Sequence, residues 1–198
     1  MTASATSNRV PDHSVDTQFI ERWSPRAFSE ATISDGELLD FFEAARWAPS
    51  ASNNQPWRFA YGLRGDAGFV AIADALMPFN AGWAAKAAAL VLIGSKMTVL
   101  KGTEEVPNVA HAFDAGAAWS NFALQAHLKG WVAHAMGGFD HAKATANLKI
   151  PAGHALHAVV AVGRIGDRAS LPDALQVREI PSLREPLGKT VRRGGFPS

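Results

Sequence analysis

The segment from Asn108 to Lys129, NVAHAFDAGAAWSNFALQAHLK, constrains the fold of this chain more than any other stretch. It is alanine-rich, holds no proline and is apolar around more than one side, so it predicts a long central helix with little exposure to water. A helix with one apolar stripe needs one packed layer against it, and a helix apolar around its girth needs more. Gly130 closes it. With tryptophans at 23, 47, 57, 83, 119 and 131 as well, the 198-residue chain carries more apolar surface than one small core hides, and a partner subunit is expected.

Shorter signals surround this helix. Ser34-Asp35-Gly36-Glu37 has the Ser-x-x-Glu form of a capping box, followed by Leu38, Phe41, Phe42 and Ala45 at helical spacing, and that helix ends before Pro49. WRFAYG (57–62) predicts a strand, DAGFVAIADAL (66–76) a helix and AALVLIGS (88–95) a buried strand. WVAHAM (131–136) reads as a short strand running into Gly137-Gly138, DHAKATANL (140–148) as a short helix and LHAVVAVG (156–163) as another buried strand. Beyond Gly163 the tail holds Pro172, Pro181, Pro186 and Pro197 and reads as extended. No repeat or linker divides the chain, so residues 1–14 are expected to be a flexible lead-in and residues 15–198 a single domain.

Nineteen basic against eighteen acidic side chains give a net charge of +1, which offers no electrostatic footprint for nucleic acid. No apolar run is long enough to span a membrane and the first residues lack an apolar signal segment, so a cytoplasmic protein is expected. With no cysteine there is no disulfide or thiolate chemistry, and redox chemistry would have to come from a cofactor. Among seven histidines, His154 and His157 are the closest pair, but no acidic residue completes a cluster and no metal site is expected. Neither a dinucleotide fingerprint nor a nucleophile elbow is present.

Two segments carry more chemistry. Arg22-Trp23-Ser24-Pro25-Arg26-Ala27-Phe28 puts two guanidinium groups and a hydroxyl on alternate residues, which in an extended segment project to one side. That arrangement suits a phosphate, and equally a solvated basic turn. Arg178 and Arg184 in the tail are open to the same two readings. In ARWAPSASNNQPWRF (45–59), small polar side chains are pinned between Pro49 and Pro56, as in a surface loop or a binding loop.

Taken together, RWSPRAF, APSASNNQPW, GGFD and PSLREPL, in this order, resemble the motifs of the FMN-dependent nitroreductase family. The resemblance implies an α+β homodimer with a central mixed β-sheet flanked by helices, a long buried helix at the dimer interface and two FMN sites between the subunits. It places Arg22, Ser24 and Arg26 against the FMN phosphate, ribityl chain and pyrimidine edge, with Arg184 joining at the phosphate. Pro49, Ser50, Ala51 and Asn53 would come from the other subunit to line the isoalloxazine, and the Gly137-Gly138 backbone would approach the flavin near N5. Ala51 stands where serine is common in the family, and Gly137 where some members have an acidic residue; either contact can be made by backbone. NADH or NADPH would reduce the flavin, which would then reduce a small-molecule acceptor such as a nitroaromatic or quinone in a ping-pong cycle. The alternatives are another reaction on the same fold, such as dehalogenation, enal reduction or flavin fragmentation, and flavin binding without useful turnover. Residues 77–105 match no substrate-specific pattern.

Overall fold

The computed structural model describes residues 8–197. Its framework is a four-stranded sheet in the order β1-β2-β6-β5, built from β1 (Trp57–Leu63), β2 (Ala89–Lys96), β5 (Val132–Met136) and β6 (His154–Gly163). Strand β2 is apolar at every position from Ala89 to Ile93 because both its faces are covered: Leu90 and Leu92 enter one core, Val91 and Ile93 the other. The first core adds Phe69 and Ile72 from α3 (Ala67–Asp74) and Trp83 from α4 (Pro78–Ala84). The second is closed by Leu38 and Phe41 of α2 (Asp35–Arg46) and Phe122 of α5 (His111–Leu128), the rings of Phe41 and Phe122 meeting edge to face at 5.6 Å.

All the ladders of this sheet are antiparallel, where a mixed sheet was expected. The connections explain it. Leu63 at the end of β1 pairs with Ala89 at the start of β2, so α3 and α4 return the chain to the end of the sheet it left. The same holds for β2 and β6, where Lys96 pairs with His154.

The capping box is present as read, with Glu37 N–H donating to Ser34 Oγ at 3.2 Å and Ser34 N–H to the Glu37 carboxylate at 3.3 Å. Helix α5, expected to have little exposure to water, is covered on one side only within this single chain. It buries Ala115, Ala118, Phe122 and Ala126 but leaves Ala112, Phe113, Gly116 and Ser120 exposed, with Phe113 at 83%. A single sheet-and-helix layer covers one side of a helix, and among the described residues no second layer covers the other.

The region from 77 to 105, which matched no substrate-specific pattern, holds β2 and, besides it, α4, opened by Pro78 at its first position, and a small hairpin of β3 (Thr98–Lys101) and β4 (Glu104–Pro107) that runs just past the region's end. The short helices α1 (Thr17–Glu21), α6 (His141–Leu148) and α7 (Asp173–Gln176) complete the set. The tail is therefore not wholly extended, since α7 and single 3₁₀ turns at Arg168–Ser170 and Leu187–Lys189 interrupt it. Of the lead-in 1–14, residues 1–7 lie outside the described residues. The rest lies along the tail, Arg9 donating to the Ser182 carbonyl and Asp12 accepting from Leu187 N–H at 2.7 Å.

Candidate functional site

Helix α1 starts under an Asp16 cap, whose carboxylate accepts from Gln18 N–H at 3.0 Å, and gives way at Arg22 to extended backbone. Pro25 keeps the segment from turning helical, and Ala27 and Ser29 then hydrogen-bond to Gly166 and Arg164 just past β6. The Arg22-to-Arg26 strip is thereby laid along one side of a cleft of about 480 Å³. The opposite side is the tail from Val177 to Arg184, and His134 of β5 forms part of the floor.

Five arginines converge here: Arg9, Arg22, Arg26, Arg178 and Arg184. Burial, and then the like charge of Arg184, pulls Arg22 below the usual guanidinium range. Arg9 is lowered by burial and by both Arg184 and Arg22. Arg26 is lowered by burial and by Arg178, against an opposing pull from Glu179. Arginine has so high an intrinsic pKa that all five stay charged, so the cleft is a concentration of positive charge seeking an anion. Arg22 donates to Ser24 Oγ only at the long distance of 3.4 Å, and Arg26 Nε is buried with no hydrogen-bond partner among the described residues. Donors in this condition fit an oxyanion that supplies their acceptors.

His134 sits between this cleft and a neighbouring one of about 390 Å³ lined by Phe19, Trp119 and Leu124. Its Nδ1 lies 3.0 Å from the Pro25 carbonyl, which can only accept, so the proton is on Nδ1. Burial and then the nearby Arg26 and Arg22, partly offset by hydrogen bonding to backbone, bring its pKa down to about 4. The ring is therefore neutral near pH 7 and offers Nε2 as an acceptor, as a hydroxyl-bearing ligand beside an anionic group would use.

Four of the sequence-derived site residues, Arg22, Ser24, Arg26 and Arg184, come together in the arginine cleft. Pro49, Ser50, Ala51 and Asn53 do not line it, and neither do Gly137 and Gly138. The loop is nonetheless tightly specified. Ser52, Asn53 and Gln55 all take left-handed backbone angles (φ 51°, 55° and 48°) without a glycine among them, while Ser50 Oγ accepts from Gln55 N–H at 3.0 Å. Non-glycine residues held in that region store strain, of order 1–3 kcal/mol each, and persist where surrounding contacts enforce it. Gly137 and Gly138 follow β5; Gly138 is packed so closely that a Cβ there would meet Asn80 Nδ2 at 2.6 Å.

Sequence reading missed Arg9, His134 and Glu179 at this site and left Arg178 unassigned. Arg178 was visible as one of the basic residues of the tail. The other three sit in no motif, and only the closing of the tail over residues 22–26 brings them in.

Comparison with known proteins gives a consistent result. The model of the Nitroreductase family matches residues 20–164. A solved structure described as an oxidoreductase containing FMN is 42% identical, with a TM-score of 0.93 over 99% of this chain and 98% of that one. A protein from Desulfovibrio desulfuricans, provisionally named a nitroreductase and solved in complex with FMN, is 25% identical with a TM-score of 0.72, covering 91% of this chain and 96% of its own. A Streptomyces coelicolor protein provisionally named NADH dehydrogenase/NAD(P)H nitroreductase is 33% identical over 61 residues, which is 31% of this chain and 30% of that one.

Proposed function

The chain belongs to the nitroreductase family, and on that premise we propose that it is an FMN oxidoreductase in which two copies of the chain complete each cofactor site. The observation that carries the reading is the cleft in which Arg22 and Arg184 crowd one another and Arg26 Nε is left without an acceptor. In the proposed site Arg22, Ser24 and Arg184 hold the phosphate, and Arg26 faces the pyrimidine edge, where its charge stabilises the negative charge that grows on reduction. Pro49, Ser50, Ala51 and Asn53 of the partner subunit wall the flat ring, and the Gly137-Gly138 backbone lies near its reactive edge. The exposed face of α5, with Phe113 and Gly116, joins the two copies.

When bound, FMN supplies electron transfer from NADH or NADPH to an acceptor such as a nitroaromatic or quinone, and the chain supplies binding, orientation and electrostatics. The donor is supported by the resemblance and by the name of the Streptomyces relative. Among the described residues no helix is long and apolar enough to cross a membrane.

The test is to denature the purified protein and identify the released flavin chromatographically, then to mix the reoxidised holoprotein with NADH and NADPH and add a panel of acceptors. Release of FMN with rapid bleaching and acceptor-dependent recolouring is expected. Recovery of FAD, or no uptake of flavin on reconstitution, overturns the cofactor reading. Tight FMN that neither donor reduces leaves a flavin-binding protein without this turnover.

A further inference from the structure

Glu179 is a buried carboxylate that the proposed chemistry does not use. Its side chain is 4% exposed, and its Oε1 accepts from two consecutive backbone N–H groups, Arg26 at 2.6 Å and Ala27 at 2.7 Å. Its Oε2 lies 3.8 Å from Arg26 Nη1 and has no hydrogen-bond partner among the described residues. Burying a carboxylate costs several kcal/mol unless it is paired and hydrogen-bonded, so a glutamate here implies that its contacts matter. They join residues 152 and 153 positions apart, one on each wall of the arginine cleft.

A second link crosses the same gap. Arg9 donates from Nε to the Ser182 carbonyl at 2.8 Å on the tail, and from Nη1 to the carbonyls of Ile20 and Arg22 on the facing wall. The tail between these two links carries the cleft residues Ile180, Pro181 and Ser182, with Arg178 just before Glu179 and Arg184 just past Ser182. Yet the tail is attached to the body by little apolar packing, with Val177, Ile180 and Leu183 all more than half exposed.

We infer that Glu179 is the positioning residue of the anion cleft: it clasps the tail onto the Arg26-Ala27 backbone, fixes Arg26 and sets Arg178 and Arg184 opposite Arg22, so that tail docking and anion binding are one coupled equilibrium. The electrostatics give the coupling its direction. Docking the tail crowds like charges, Arg184 against Arg9 and Arg22 and Arg178 against Arg26, and Glu179 offsets that repulsion on the Arg26 side alone. A bound phosphate group removes the rest of the repulsion and so favours the docked tail, and by linkage the docked tail favours the phosphate. The inference rests on the proposed flavin site for the identity of the anion.

The experiment compares wild type, Glu179→Ala and Glu179→Gln, each as apoprotein and with FMN, by flavin fluorescence quenching, trypsin cleavage after Arg178 and Arg184, and hydrogen exchange at the Arg26 and Ala27 amides. In wild type, saturating FMN is expected to slow tail cleavage at least about tenfold, as mass action on a coupled equilibrium requires. Glu179→Ala is expected to weaken FMN about tenfold or more, expose the tail and speed exchange of the two amides, through loss of two charge-assisted hydrogen bonds. Glu179→Gln keeps an oxygen that accepts from both amides and should recover most of the affinity and exchange protection. Wild type that binds FMN with the tail cleaved equally fast with and without it overturns the clasp but not the cofactor site. An alanine variant that binds FMN within about twofold of wild type does the same, since loss of the two charge-assisted hydrogen bonds predicts about tenfold or more. Wild type that takes up no flavin overturns both. If the alanine variant does not fold, the wild-type cleavage comparison and the glutamine variant decide.

Discussion

The backbone N–H of Ala51 donates to the carboxylate of Asp114 at 3.2 Å, across 63 positions of chain. Asp114 is buried at 2% exposure in the first turn of α5, where a negative charge is favoured by the helix dipole. The strained loop proposed to wall the partner's cofactor is thus anchored to the helix proposed to join the two copies. Asp114→Ala should loosen FMN by about tenfold, as loss of a hydrogen bond to a charged group suggests, and make its retention more sensitive to dilution. Asn53→Ala should act in the same direction and more weakly, by about 0.5–1.5 kcal/mol. Sedimentation followed at flavin and protein wavelengths checks both; a monomer that keeps a full complement of tightly bound FMN contradicts the shared site.

Arg22 and Arg184 are expected to clamp one phosphate from opposite ends of the sequence. Charge-assisted hydrogen bonds contribute roughly 1.5–3 kcal/mol each, so either Arg→Ala change should weaken FMN about tenfold or more while folding survives. Melting of the apoproteins should even rise slightly, because either change removes the like-charge repulsion between the two guanidinium groups. Unchanged flavin dissociation constants in both variants would mean that the two are only solvated charges.

Stability should depend on pH through His134. Its folded pKa, about 4, lies below the unfolded value near 6.5, so as pH falls through that window the unfolded chain takes up a proton that the folded chain refuses. The fold favours the neutral form, and apoprotein stability should therefore be intact above pH 7 and decline from about pH 6.5 downward, by up to about 3 kcal/mol near pH 4 on the linkage relation. His157, lowered by burial and then by His111 and His141, adds a loss of the same sign. An anion in the cleft screens Arg26 and Arg22 and should flatten the profile. Denaturant melts from pH 4 to 8, with and without phosphate, read this directly, and His134→Gln should remove part of the slope.

The proposed reading, in which electron donor and acceptor take turns at the same face of the flavin, predicts ping-pong kinetics. Initial-rate plots against donor concentration at several fixed acceptor concentrations should give parallel lines. Intersecting lines would mean that both bind at once and that a second pocket has to be found.

Much of this was legible in the residues themselves. The Ser34–Glu37 cap, the buried run of β2 and the long α5 are set by contacts within a few positions or by the side-chain period, which any reader of the chain can follow. The strip from Arg22 to Arg26 was readable for the same reason, since alternation in an extended segment decides which side chains share a side. The antiparallel course of the sheet was not, because it depends on where α3 and α4 return the chain. Nor was the place of His157, which falls where the β2–β6 register slips and whose Nε2 meets Ser95 Oγ at 2.6 Å, with His111 Nδ1 2.7 Å from the same oxygen. Arg9, His134 and Glu179 carry no local mark of their roles. Their partners lie up to 173 residues away, and pairing at that distance depends on the whole chain closing, which local propensity does not encode. Sequence alone thus determined the longer elements and the strip from Arg22 to Arg26, while the tertiary structure decided that Arg9, His134 and Glu179 gather around that strip, because only packing selects among distant charges.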